Sequence, residues 1–160
     1  MNKNVIYHWI NREESLTPDD KIRIVNFTGA EKLWNASSEN VGDLLKASGL
    51  CGEGLIRYFS SEYNRELSIK ELEEYGKKGI RTLGLSDTAY PEGLKYIDVP
   101  PVCIYVIGKL PDITKSSVAI VGTRKSTDYG IRIAEYFGSK CVTQVQPTEK
   151  IERMYPELKE

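Results

Sequence analysis

The chain reads as an α/β protein in which a small amino-terminal helical module feeds a partial sheet. Three observations predict this. Residues 1–67 place apolar side chains at helical spacing between cap and stop residues. Residues 80–121 hold three short β-branched runs bounded by glycine and proline. A helix pattern follows the last run, giving a strand–turn–helix order. With 160 residues, 40% of them hydrophobic, the chain can bury the core of one ordinary domain or two small ones.

The elements follow in order. Residues 4–12 predict a short helix with Val5, Ile6, Trp9 and Ile10 on one side. Thr17-Pro18-Asp19-Asp20 is a helix start: a Thr cap, Pro in the first turn and two acids against the positive helix end. That helix sends Ile22, Val25 and Phe27 inward and stops at Gly29. Short helices are expected over 30–35, 38–47 and 53–60, the second carrying Val41, Leu44 and Leu45 and the third Leu55, Ile56 and Phe59. Ser68-Ile69-Lys70-Glu71 has the form of a capping box and opens a helix through Lys78. Strands are expected over 80–85, 102–107 and 118–121, with a loop and a short helical piece after Pro91. Pro100-Pro101 is an extended break. A helix from Tyr129 to about Phe137, capped by Asp128, comes next, and Cys141–Gln146 reads as one more strand. A doubly wound sheet needs more strands than this, so either the chain is a fragment or a partner completes the sheet.

Charge excludes a global polycation: the net charge is −1 and the isoelectric point about 6.0. Any grip on nucleic acid must come from a local patch. Residues 115–140 hold one, with Lys115, Arg124, Lys125, Arg132 and Lys140 against Asp128 and Glu135. Three scattered cysteines and a single histidine, His8, give no zinc pattern. Cys103 reads as a buried small hydrophobe. The amino terminus has no leader-like or membrane-spanning run, so a cytoplasmic location is expected. No catalytic residue, metal or cofactor is assigned.

The segment Ser117-Val-Ala-Ile-Val-Gly-Thr-Arg-Lys-Ser-Thr-Asp-Tyr-Gly130 carries the candidate site. A glycine turn between a strand and a helix start presents backbone N–H groups to an anion. Gly122 allows close approach, Arg124 offers a planar donor fork and Lys125 a second cation, with Thr123 and Ser126 in the same loop. The plainer alternative pairs Arg124 with Asp128 across the loop. Trp9, Trp34, Tyr58 and Phe59 have the helical spacing of core residues rather than of a base-stacking platform. Tyr129 is the better stacking candidate. His8 is read as a partly exposed helix histidine, and the charges from Lys70 to Lys78, Glu71 included, as a solvated face. Asp87 and Tyr90-Pro91 are read as loop architecture.

Three stretches resemble the DNA-processing protein A family, also called Smf, the recombination mediators of bacterial natural transformation. They are Ile80-Arg-Thr-Leu-Gly-Leu-Ser-Asp-Thr-Ala-Tyr-Pro-Glu-Gly-Leu94, Pro100-Pro101-Val102 before an apolar strand ending in Gly108, and Val118 to Gly130. The resemblance implies a SAM- or helix–hairpin–helix-like module over 1–67, the start of a Rossmann-like domain over 68–138 and an atypical tail over 139–160. It implies a non-enzymatic protein that binds single-stranded DNA in a basic pocket and serves a RecA-type recombinase. Arg124 would line that pocket, Gly122 and Thr123 would share its loop, and Lys125 and Ser126 would flank it. The stretch Val25-Asn-Phe-Thr-Gly-Ala30 has one glycine where the family often has a Gly-Ile-Gly hairpin. Later family segments are absent, so a truncated form with half a binding site is expected. A nucleotide-binding Rossmann-like enzyme and a non-catalytic interaction module, with a homodimer as one way to complete the sheet, are the alternatives.

Overall fold

In the computed structural model, residues 3–110 and 119–142 are described. They divide between two compact units, Met1–Ile113 and Thr114–Glu160. In the first unit, helices α1 (Asn4–Arg12), α2 (Pro18–Arg23), α3 (Ala30–Trp34), α4 (Val41–Ala47), α5 (Glu53–Ser60) and α6 (Glu62–Lys77) precede strand β1 (Ile80–Gly84), helix α7 (Glu92–Lys95) and strand β2 (Cys103–Ile107). In the second unit the described element is α8 (Asp128–Val142).

Helix α1 is the centre of the first unit. Six successive residues, Val5 to Ile10, are buried, because α3, α6 and both strands pack around it. The expected one-sided helix is therefore covered on every side, and His8 is 1% exposed rather than partly exposed. Trp9 is fully buried. The rings of Trp34 and Phe59 meet it edge-on at 5.0 and 4.9 Å, and the Arg65 guanidinium lies 5.5 Å from its centroid. The Tyr58 hydroxyl donates to the Trp9 carbonyl at 2.9 Å. The four aromatics are core, as their spacing predicts.

The Thr17 start is as expected: its Oγ1 accepts from the Asp20 N–H at 3.2 Å, and the Asp20 carboxylate accepts from the Thr17 N–H at 3.2 Å. Beyond Arg23 the chain makes a π-helical turn, Ile24–Thr28, closed by the Gly29 N–H on the Ile24 carbonyl and by a left-handed Gly29 (φ +85°). The extra residue turns Thr28 inward, where its hydroxyl donates to the Leu44 carbonyl at 2.9 Å. Phe27, expected inside, is 67% exposed.

The Ser68 capping box does not form. Helix α6 starts at Glu62, where Ser61 Oγ accepts from the Asn64 N–H at 3.3 Å. Ser68 is buried in mid-helix and its hydroxyl donates back to the Asn64 carbonyl at 2.8 Å. Residue 67, the expected module boundary, falls within α6. Nor is Glu71 part of a solvated face: it pairs with Arg12 at 2.6 Å and His8 at 3.0 Å.

Strands β1 and β2 pair antiparallel, Ile80 opposite Ile107 through Gly84 opposite Cys103. Thr82, Gly84, Cys103 and Tyr105 share one face, and α1 packs against the pair. Leu83, Ile104 and Val106 share the other, where they cluster with Tyr90, Leu94 and Leu110. Tyr90 donates to the Pro101 carbonyl at 2.7 Å, so the Tyr-Pro loop is architecture, as read. Burial pushes the Cys103 thiol up to about 12, the behaviour of an inert core cysteine.

The described sheet is this one pair. Of the expected third strand, Val118 lies outside the described residues and 119–121 form no strand, since among the described residues they have no ladder to join. Of the expected fourth, Cys141 and Val142 end α8, and 143–146 lie outside the described residues. Among the described residues no helix is long and apolar enough to cross a membrane.

Candidate functional site

In the second unit, residues 119–123 take no regular secondary structure, and the chain bends at Arg124-Lys125 and enters α8 at Asp128. The cap is Thr127, not Asp128. Thr127 Oγ1 accepts from the Gly130 N–H at 3.1 Å, and its carbonyl accepts from the Ile131 N–H at 3.0 Å. Asp128 instead occupies the first turn, where its carboxylate faces the positive helix end. The Thr123 hydroxyl donates to the Lys125 carbonyl at 2.8 Å and holds the bend.

All five candidate residues, Gly122, Thr123, Arg124, Lys125 and Ser126, are exposed and contiguous at the start of a 15-residue helix. Arg124 and Lys125 make no ion pair among the described residues, so the pairing of Arg124 with Asp128 is not formed. Gly122 is not left-handed, and the position of a Cβ there opens on space. Its use is to leave the backbone uncovered rather than to make the turn possible. Tyr129, the stacking candidate, is 67% exposed beside the bend.

Gly122, Thr123 and Ser126 of the turn line an apolar groove of about 840 Å³ together with the run Ala119–Val121 and the side of α8 bearing Ile131, Ala134 and Phe137. The Gly138 side of α8 lies against Ile120. Val121 remains 90% exposed and Phe137 53%. Lys140 sits 5.5 Å from the Tyr136 ring centroid. Among the described residues no cluster of His, Cys, Asp or Glu is placed to hold a metal ion.

Sequence reasoning missed one constellation altogether. His8, Arg12, Glu71, Tyr75 and Tyr105 come from three separated stretches and meet at the α1–α6–β2 junction. No local motif announces them. The one available signal was six successive positions on α1, none of them charged, which only a fully surrounded helix can bury.

Comparison with known proteins finds a family match that runs through the turn. The model of the DNA recombination-mediator protein A family matches residues 81–147, from β1 through the turn and α8. DNA processing protein DprA of Bacillus subtilis is 33% identical over 95 residues, which cover 59% of this chain and 30% of that protein. The Smf protein of Borreliella burgdorferi is 32% identical over 104 residues, 61% of this chain and 32% of that one. The Smf protein of Synechocystis is 31% identical over 111 residues, 67% and 27%. The chain thus spans about a third of the length of these relatives. No solved structure matches it. Over residues 81–147, this chain is similar to the DNA recombination-mediator protein A family of DprA and Smf proteins.

Proposed function

We propose that this chain binds single-stranded DNA as a recombination mediator of bacterial DNA uptake, with the Gly122–Ser126 turn holding the phosphate backbone. One observation supports this most directly: the family match runs through a turn whose two cations are exposed and make no ion pair with described residues. Arg124 would supply a bidentate grip on one phosphate and Lys125 a point charge on the next. The amides leading into α8 would add donors and a partial positive charge. The exposed Tyr129 ring would stack a base beside the held phosphate. A RecA-type recombinase and a second copy of the chain are the protein partners that this reading carries.

Fluorescence polarisation of a labelled oligothymidine at two salt concentrations tests it. Arg124→Ala should weaken binding about tenfold, the worth of a charge-assisted hydrogen bond. It should also make the salt dependence shallower by about 0.7 in log–log slope, one phosphate contact on a single strand. Parental affinity and slope in Arg124→Ala would remove the turn from the DNA-binding surface.

A further inference from the structure

The one histidine of the chain sits at a junction of three elements. His8 on α1 is almost wholly buried. Its Nδ1 lies 2.7 Å from the Tyr105 hydroxyl on β2, and its Nε2 lies 3.0 Å from Glu71 Oε2 on α6. Arg12 Nε lies 2.6 Å from the same carboxylate oxygen, and Asn11 Nδ2 donates to the Tyr105 hydroxyl at 3.2 Å. The rings of Tyr75 and Tyr105 meet the imidazole edge-on at 5.6 and 5.7 Å.

One arrangement of protons satisfies both imidazole nitrogens and the Tyr105 hydroxyl. Glu71, ionised beside the Arg12 guanidinium, only accepts, so Nε2 carries the imidazole proton and donates to it. Nδ1 then keeps its lone pair and accepts from the Tyr105 O–H. The Tyr105 oxygen in turn accepts from Asn11. A proton added at Nδ1 sets a donor against a hydroxyl whose own hydrogen has lost its acceptor. It also brings a second cation, on an imidazole only 1% exposed, close to Arg12.

We propose that this cluster is an acid-released latch: neutral His8 ties α1 to both α6 and β2, and a proton taken up at Nδ1 breaks the imidazole's tie to β2. The other groups around the imidazole leave burial in control. On α1, Arg12 opposes the cationic form; on α6, Glu71 favours it, but Arg12 already answers its charge. Tyr75 of α6 and Tyr105 of β2 are phenols, with Cys103 next to Tyr105. Tyr58 of α5, beside Arg12, is pushed up to about 12 by burial. β1 turns Thr82 and Gly84 to this face, while Arg81 lies on the opposite face and donates to the Gly108 carbonyl. Desolvation is the largest influence and moves His8 below the usual imidazole value of 6.5. Stability from the latch is therefore complete above pH 6.5 and declines as pH falls toward the folded midpoint. None of these residues belongs to the phosphate turn, so the latch stands or falls independently of DNA binding.

NMR of the full ¹⁵N- and ¹³C-labelled chain reads this without ambiguity, since one imidazole gives one set of signals. At about pH 8 the expected species is the Nε2–H tautomer. The titration midpoint should lie below 6.5, and cross-peaks between His8 and Tyr105 should vanish with that same midpoint. Protection of β2 amides should fall about tenfold for each pH unit between 6.5 and the midpoint. Tyr105→Phe should raise the midpoint by removing the donor to the lone pair, and Glu71→Gln should lower it. The Nδ1–H tautomer, a midpoint at or above 6.5, or His8–Tyr105 cross-peaks that survive protonation would each overturn the proposal. The tautomer and midpoint of the parent chain decide the matter even if a variant does not fold.

Discussion

Gly84 of β1 and Tyr7 of α1 occupy a space that only a residue without a side chain leaves open. A Cβ built on Gly84 would meet three atoms of Tyr7, its Cβ at 2.9 Å and two ring carbons closer still. Gly84 is not left-handed, so its requirement is room and not backbone freedom. Its N–H also donates to Asn4 Oδ1 at 2.9 Å, which fixes the strand against the helix and forbids a simple shift. Gly84→Ala should therefore destabilise the fold by about 1–3 kcal/mol, the usual cost of an added methyl in a packed site. Combining it with Tyr7→Ala should recover part of that loss, and urea denaturation of the two single variants and the double variant measures the coupling. Strict additivity would mean that the two residues do not meet.

The start of α6 is decided by one hydroxyl rather than another. Ser61 satisfies an otherwise unpaired N–H at the helix end, whereas Ser68 bonds back to a carbonyl already inside the helix. Ser61→Ala should cost about 1 kcal/mol, a typical cap loss. Ser68→Ala trades a back-bond for better helix propensity and should cost clearly less. Thermal melts of the two variants give the order, and the reverse order would restore a helix start at Ser68.

Local chemistry and long-range packing separate what the sequence shows from what it hides. Thr17-Pro18-Asp19-Asp20 satisfies itself within four residues, so its helix start was legible. The Trp9, Trp34 and Phe59 core was legible because spacing on each helix already turned those rings inward. Ser68 and Glu71 made the same cap pattern as a true helix start, yet Ser61 caps the helix seven residues upstream and α6 runs on through Ser68. Glu71 was read as solvent-facing because its partners, His8 and Arg12, are about sixty residues away in the sequence. The Phe27 orientation failed for a different reason: the π-helical turn adds a residue, and a pattern read at 3.6 residues per turn points it the wrong way. At the candidate site, a helix start soon after Gly122–Ser126 was legible in the sequence, but the cap at Thr127 rather than Asp128 was not.

Asn4 makes a second tie between α1 and the loop after β1. Its amide donates to Asp87 Oδ2 at 2.6 Å while its carbonyl oxygen takes the Gly84 N–H. Asp87 also caps its own loop through the Ala89 N–H at 2.8 Å. These bonds favour the carboxylate, the Asn4 amide foremost, and hold Asp87 below its usual value of 3.8. Their stability is complete above that value and is lost as pH falls through the lower folded midpoint. Asp87→Asn should thus flatten the acid limb of a stability–pH profile measured by chemical denaturation between about pH 5 and 2. An unchanged acid limb would show that Asp87 titrates alike in the folded and unfolded chains.

Asp128 gives a test of the proposed phosphate turn that does not remove a cation. Its carboxylate stands in the first turn of α8, three residues past Lys125, and offsets the positive field that the helix start and both cations create. If a phosphate chain passes over Gly122–Ser126, this negative charge opposes it at every encounter. Asp128→Asn keeps the side-chain shape and the Thr127 cap while removing that opposition. Affinity for oligothymidine should then rise about two- to fivefold at low salt, matching 0.3–1 kcal/mol for a charge at a helix end, and the gain should shrink as salt screens it. A gain that persists at high salt would point to a contact other than charge, and a loss of affinity would place the DNA away from this turn.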